Sequence, residues 1–113
     1  MTEQELIALI MVQTDGYLGY PFNRPNQKSG VIFSVIKHRS THKMIAMVYT
    51  KLDQLFVDAK LLPEHSESLR LLKGVMPGQH LNNHYWTTIN VTTTELTRTE
   101  LVNVIAESAK LTA

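Results

Sequence analysis

The residues most able to do chemistry lie together between positions 76 and 86, Met76-Pro77-Gly78-Gln79-His80-Leu81-Asn82-Asn83-His84-Tyr85-Trp86. This stretch holds the chain's single tryptophan and two of its five histidines. Three chemistries fit such a set. In a structural role, Pro77-Gly78 fills the centre of a type II turn and Asn82 bonds its own backbone. Trp86 then opens a strand with its ring buried, and His80 bonds a carbonyl beneath the loop. In a metal site, His80 and His84 would converge at i,i+4 spacing. However, Pro-Gly and Asn-Asn disfavour a helix there, and no third ligand or His-Glu-x-x-His pattern accompanies them. In a ligand or catalytic pocket, His80, Asn82 and Tyr85 would offer hydrogen bonds, with His80 able to shuttle protons. No nucleophile paired with a base and no glycine-rich phosphate loop is visible, so no catalytic residue, metal or cofactor is expected.

A second chemical feature is charge. Residues 16–52 carry Arg24, Lys28, Lys37, Arg39, Lys43 and Lys51 and no acidic residue, although the net charge of the chain is only +1. His38 and His42 add to this positive third when protonated. Such asymmetry points to an anionic partner for one surface, or to a solvated face balanced by acidic helices. Lys37, Arg39 and Lys43 would sit on phosphates as a wing does, with Arg24 and Lys28 close by. Three phosphate contacts give a salt slope of about −2.7, so DNA binding should be weak and blind to sequence. No aromatic residues interleave with these charges, so stacking on single strands is not expected.

The elements that must position these residues follow from pattern. Thr2 to Glu5 is a capping box opening a helix whose Leu6, Leu9, Ile10 and Gln13 form one stripe, widened by Ile7 and Met11. The helix should stop near Asp15-Gly16, and residues 17–30 read as loop. Residues 31–36 and 44–49 read as an antiparallel hairpin with polar residues 37–43 at its tip. A third strand spans about 54 to 60, with Leu55, Val57 and Ala59 on one face and Phe56 and Asp58 on the other. Pro63 opens a second helix that packs through Leu69, Leu71 and Leu72 and ends at Gly74. Residues 87–91 read as a fourth strand. Thr97 to Glu100 caps a last helix facing the core with Leu101, Val104, Ile105 and Ala109.

A chain of 113 residues supports one domain with one core. Its 43% hydrophobic and 19% charged residues are those of an ordinary soluble globule. No apolar run approaches a membrane span, and the acidic start is wrong for a secretory signal. With no cysteine there is no disulfide or thiolate chemistry, which fits a cytoplasmic location. The expected fold class is α+β, an antiparallel β-sheet with helices packed on it.

In this order, several residues resemble the MmcQ/YjbR-like family of small bacterial proteins, over nearly the whole chain. Tyr20-Pro21-Phe22 is similar to the family's Tyr-Pro-Phe after its first helix, and Lys43-Met44-Ile45-Ala46 to its lysine-led strand. Lys60, Pro63-Glu64 and Leu69-Arg70 resemble its strand-to-helix passage. Pro77, Gly78, His80, Asn82, His84 and Trp86 resemble its strongest signature, and Ser108 also fits. The resemblance implies a CyaY-like (frataxin-like) fold with a double-wing-like architecture, and members are usually labelled DNA-binding because of that architecture. It carries over no catalytic residues. Frataxin-like iron binding is not expected, since the first helix offers only Glu3, Glu5 and Asp15 in place of a carboxylate ridge. The chain departs from the family pattern in a longer, more basic 37–43 loop and an irregular 23–30 loop. The expectation is a non-enzymatic nucleic-acid-binding or regulatory accessory protein. The alternatives are a small-molecule or enzymatic pocket built on His80, Asn82 and Trp86, and a protein-interaction module.

Overall fold

The first helix, α1 (Glu3–Gln13), starts where the capping box puts it. The Thr2 hydroxyl accepts from the Glu5 N–H at 3.1 Å, and the Glu5 carboxylate accepts from the Thr2 N–H at 3.0 Å. Leu6, Leu9 and Ile10 are its buried residues. The last helix, α3 (Arg98–Leu111), begins with the same device at Thr97 and Glu100 and buries Leu101, Val104 and Ile105, with Ala109 partly buried beside them. These elements belong to a computed structural model that describes residues 1–23 and 30–113.

Between these helices in the chain, the described residues form a six-stranded sheet of β1 (Gly16–Gly19), β2 (Ser34–His38), β3 (Met44–Lys51), β4 (Gln54–Lys60), β5 (Val75–Pro77) and β6 (Trp86–Asn90). The order is β1-β2-β3-β4-β6-β5, and every neighbouring pair is antiparallel. A short α2 (Pro63–Leu69) links β4 to β5. The expected α+β class with helices packed on an antiparallel sheet is therefore observed. One sheet face meets the helices through Leu6, Ile10, Ile36, Ile45, Val57, Ile89 and Ile105. The other face carries a smaller apolar cluster on Val35, Met47 and Tyr49.

Several expectations need correction. Residues 16–19 form an edge strand within the stretch read as loop. Tyr17 and Leu18 are too short a β signal between glycines, and pairing with β2 makes the strand. Residues 31–36 do pair with 44–49, but the ladder starts at Ser34 and runs to His38. Val31 and Phe33 are held instead by the Asn23 side chain, which donates to the Val31 carbonyl and accepts from the Phe33 N–H. The basic tip is shorter than 37–43, because Lys37 and His38 lie in β2 and His38 is only 5% exposed. The second helix ends at Leu69. Leu71 consequently falls outside it and is exposed, while Leu69 and Leu72 do pack. Gly74 keeps its turning role with φ of 78°, and a Cβ there would meet the Thr94 backbone at 2.9 Å. β5 was not expected, since three residues ending in proline give no pattern to read.

Candidate ligand site on the open sheet face

Alternation along β4 puts Phe56 and Asp58 on the face away from the helices, as the sequence implied. Register brings Tyr49 opposite Phe56 and Thr88 opposite Asp58. Tyr49 and Phe56 stack with centroids 5.3 Å apart and an interplanar angle of 10°, and Phe33 leans on Tyr49 at 5.1 Å. The β5–β6 connection folds back over this platform. Its His80 ring meets Phe33 and Tyr49 edge-on, each at 5.1 Å.

Beside the platform, two residues along β4 on the same face, sits a buried carboxyl group. Asp58 is 0% exposed. Its Oδ1 accepts from the Thr88 hydroxyl at 2.7 Å and from the Tyr49 hydroxyl at 3.2 Å. Its Oδ2 has no partner among the described residues. Burial raises the Asp58 pKa, opposed by the hydrogen bonds from Thr88 and Tyr49 and by the nearby His80. Burial, and then the charge of Asp58, push the Tyr49 hydroxyl well above its ordinary value. Burying such a carboxyl costs stability that an apolar residue would not.

Two pockets open on this face and share His80. One of about 240 Å³ is lined by Phe22, Phe33, Met47, His80 and Leu81. The other, about 420 Å³, lies over Tyr49 and Phe56 with Lys51, Leu52, Gln54, Met76, Gln79, His80 and Asn90 around it.

The residues singled out in 77–86 separate in space. Pro77 ends β5, and Gly78 does not sit in the left-handed region that a type II turn requires. Gly78 is needed for close approach, since a Cβ there would lie 2.8 Å from the Trp86 carbonyl oxygen. Asn82 does fix the loop, its Oδ1 accepting from the His84 N–H at 2.9 Å. His84 packs edge-on against Tyr85 at 4.6 Å, away from the His80 contacts. Trp86 opens β6 as expected but is half-buried, because its register partner is Lys60 at the end of β4 and not a core residue. His80 meets aromatic rings and not a carbonyl. Of the expected trio His80, Asn82 and Trp86, only His80 lines these pockets.

The basic residues are also dispersed. Arg39 and Lys43 are exposed in the β2–β3 turn, whereas Lys37 is half-buried in β2 opposite Tyr17. Arg24 and Lys28 lie outside the described residues. The turn is tied by the His42 Nδ1 and Tyr17 hydroxyl, 2.9 Å apart.

An arrangement invisible in sequence joins Asp15, His38 and Thr112. His38 Nδ1 lies 2.6 Å from Asp15 Oδ1, and its Nε2 lies 2.9 Å from Thr112 Oγ1. The order imitates a nucleophilic triad. Yet Thr112 is buried and its hydroxyl donates to the Ser108 carbonyl at 2.7 Å. It is a clasp joining the C-terminus to β2 and to the turn after α1.

No family model and no curated protein matches the chain. Solved structures do. The crystal structure of a Pseudomonas syringae protein is similar with a TM-score of 0.82 at 24% identity, covering 100% of both chains. Its solution NMR structure gives 0.77 at 23% identity, covering 100% of this chain and 94% of that one. A Deinococcus radiodurans protein, described by the domain DUF419, gives 0.74 at 22% identity, covering 97% of this chain and 77% of that one. At these identities the likeness is one of fold. Among the described residues, no helix is long and apolar enough to cross a membrane.

Asp58 and Tyr49 are the site residues that sequence reasoning missed. A signal existed for Asp58, an aspartate inside Leu55-Phe56-Val57-Asp58-Ala59, where a carboxyl must be either solvated or partnered. Tyr49 had none, because its role depends on register.

Proposed function

We propose that this is a small-molecule-binding protein whose ligand lies on the open face of the sheet, against Tyr49, Phe56, Phe33 and His80. The observation that carries this reading is Asp58, a fully buried carboxyl two residues along β4 from a stacked aromatic pair, on the sheet face where two pockets open. Buried groups of this kind cluster at ligand sites, where their cost to folding is offset by function. The reading assigns binding and no reaction. It moves the pocket alternative from His80, Asn82 and Trp86 to His80, Tyr49, Phe56 and Asp58.

The same proposal places the chain with the MmcQ/YjbR-like proteins. Support comes from the ordered motifs at 20–22, 43–46, 60–70 and 77–86, and from the fold shared with a DUF419 domain. A nucleic-acid role finds support in Arg39 and Lys43 alone among the described residues, since Lys37 belongs to a strand. Two phosphate contacts give a salt slope of about −1.8, shallower than three would.

A thermal-shift screen of metabolite-like compounds tests the binding reading. Ligands should raise the melting temperature with concentration in the parent and lose that effect in His80→Ala. A library without such hits, or hits indifferent to His80→Ala, would count against it.

A further inference from the structure

The larger pocket has a fixed hydrogen-bond polarity. Asn90 Oδ1 accepts from the backbone N–H groups of Thr92 at 3.1 Å and Thr93 at 3.3 Å, which orients its amide. Asn90 Nδ2 then donates to Gln54 Oε1 at 2.6 Å. With its oxygen engaged, Gln54 turns its NH2 group outward as a donor. Gln54 is the register partner of Lys51 across the β3–β4 hairpin, so their side chains leave the same face side by side. The Lys51 ammonium has no ion pair among the described residues. Both residues line the pocket, and among the described residues no carboxylate does.

The aromatic pair stands two residues further along the same strands. Tyr49 opposes Phe56, and Lys51 opposes Gln54, on one face. Two residues of strand span about 7 Å. Tyr49 is buried in the stack, and Phe56 is the partly exposed ring. A flat ring laid against Phe56 would therefore place a substituent one or two bonds beyond the ring against the two donors.

The geometry points to a small aromatic carboxylate as the ligand of this pocket, its ring against Phe56 at the rim of Tyr49 and its carboxylate between Lys51 Nζ and the Gln54 amide. This inference rests on the binding reading above and specifies its ligand. The donor pair supplies charge-assisted hydrogen bonds that a neutral or cationic analogue cannot use in full. The rings supply apolar contact area that all three analogues share.

Indole-3-acetate, indole-3-acetamide and tryptamine separate these contributions, since they share a ring and differ in the end group. Titration of each into ¹⁵N-labelled protein, followed by amide shifts, reads both place and affinity. Indole-3-acetate should shift residues 49–56 and 79–80 and bind about tenfold more tightly than the amide, with tryptamine weakest. Lys51→Met, an exposed change, should abolish the preference for the acetate while leaving ring contact. Gln54→Glu should reverse it towards tryptamine. If the amide or tryptamine binds at these residues as tightly as the acetate, the ligand class is wrong and the binding reading stands. If no compound shifts these residues, this inference is overturned, and the screen across chemical classes decides the binding reading separately.

Discussion

Thr88 donates its hydroxyl proton to Asp58 across the β4–β6 ladder at 2.7 Å, and the Gln79 N–H donates to the same hydroxyl oxygen at 3.0 Å. The backbone of the loop carrying His80 thereby holds the hydroxyl whose single proton serves Asp58. Loop position and carboxyl are linked through one threonine. Thr88→Val keeps the shape and removes both bonds. It should cost about 1–3 kcal/mol, read from urea unfolding, because a buried acceptor and a loop N–H lose their partner together. Thr88→Ser, which restores the hydroxyl, should recover most of the loss. Equal losses in the two variants would show that the methyl group matters and the relay does not.

Asp58 makes stability depend on pH in a direction opposite to most carboxylates. Its folded pKa is raised by burial above the unfolded value of about 3.9. Its contribution is whole below that value and is lost as pH rises through the folded pKa. Asp58→Asn has no proton to lose. The melting temperature of Asp58→Asn minus that of the parent should therefore become more positive from pH 4 to pH 8. A flat difference across that range would mean that Asp58 titrates alike in both states.

Asp15 works in the other direction. Its hydrogen bond to His38 holds its pKa below the ordinary carboxylate value. The contribution is present above the unfolded pKa and disappears as pH falls through the lowered folded value. Glu5 and Glu100 are lowered too, by the Thr2 and Thr97 capping bonds, so acid unfolding of the parent sums all three. The gap in melting temperature between parent and Asp15→Asn isolates one of them. That gap should close as pH drops below about 4. A gap that persists at pH 2 would assign the effect to packing instead of charge.

Much of this was legible in the sequence where short-range pattern governs. Both capping boxes, the two faces of β4 and, within the expected 31–36 and 44–49 hairpin, the pairing of 34–36 with 46–48 follow from pattern. The site was not legible, because it is made by register. Asp58 meets Thr88 and Tyr49 only once β3, β4 and β6 are aligned, and Thr88 lies 30 residues from Asp58 in the chain. The edge strand at 16–19 exists through its neighbour. Pro77-Gly78 imitated a turn, while the real need was room for the Trp86 carbonyl. The positive third looked like a wing because sequence cannot show that His38 is turned inward to Asp15 and Thr112.

The hairpin between β3 and β4 holds a local conflict beside the pocket. Leu52 and Asp53 both have positive φ, 51° and 62°, and Leu52 is 88% exposed. Two-residue turns of this kind favour Asn-Gly, and a leucine there gains nothing from packing. Leu52→Asn should stabilise the fold by about 1 kcal/mol, seen as a higher urea midpoint with an unchanged slope. An unchanged or lower midpoint would show that Leu52 contributes a contact to the folded state.

The central claim is that small molecules bind on the open sheet face, beside the buried Asp58. An amide chemical-shift map of the ¹⁵N-labelled protein with a chemically diverse fragment mixture tests it most directly. The account predicts shifts concentrated at Tyr49, Phe56, Gln79 and His80, with the Arg39–Lys43 turn unmoved. Shifts scattered away from that face, or none at millimolar fragment, would contradict it.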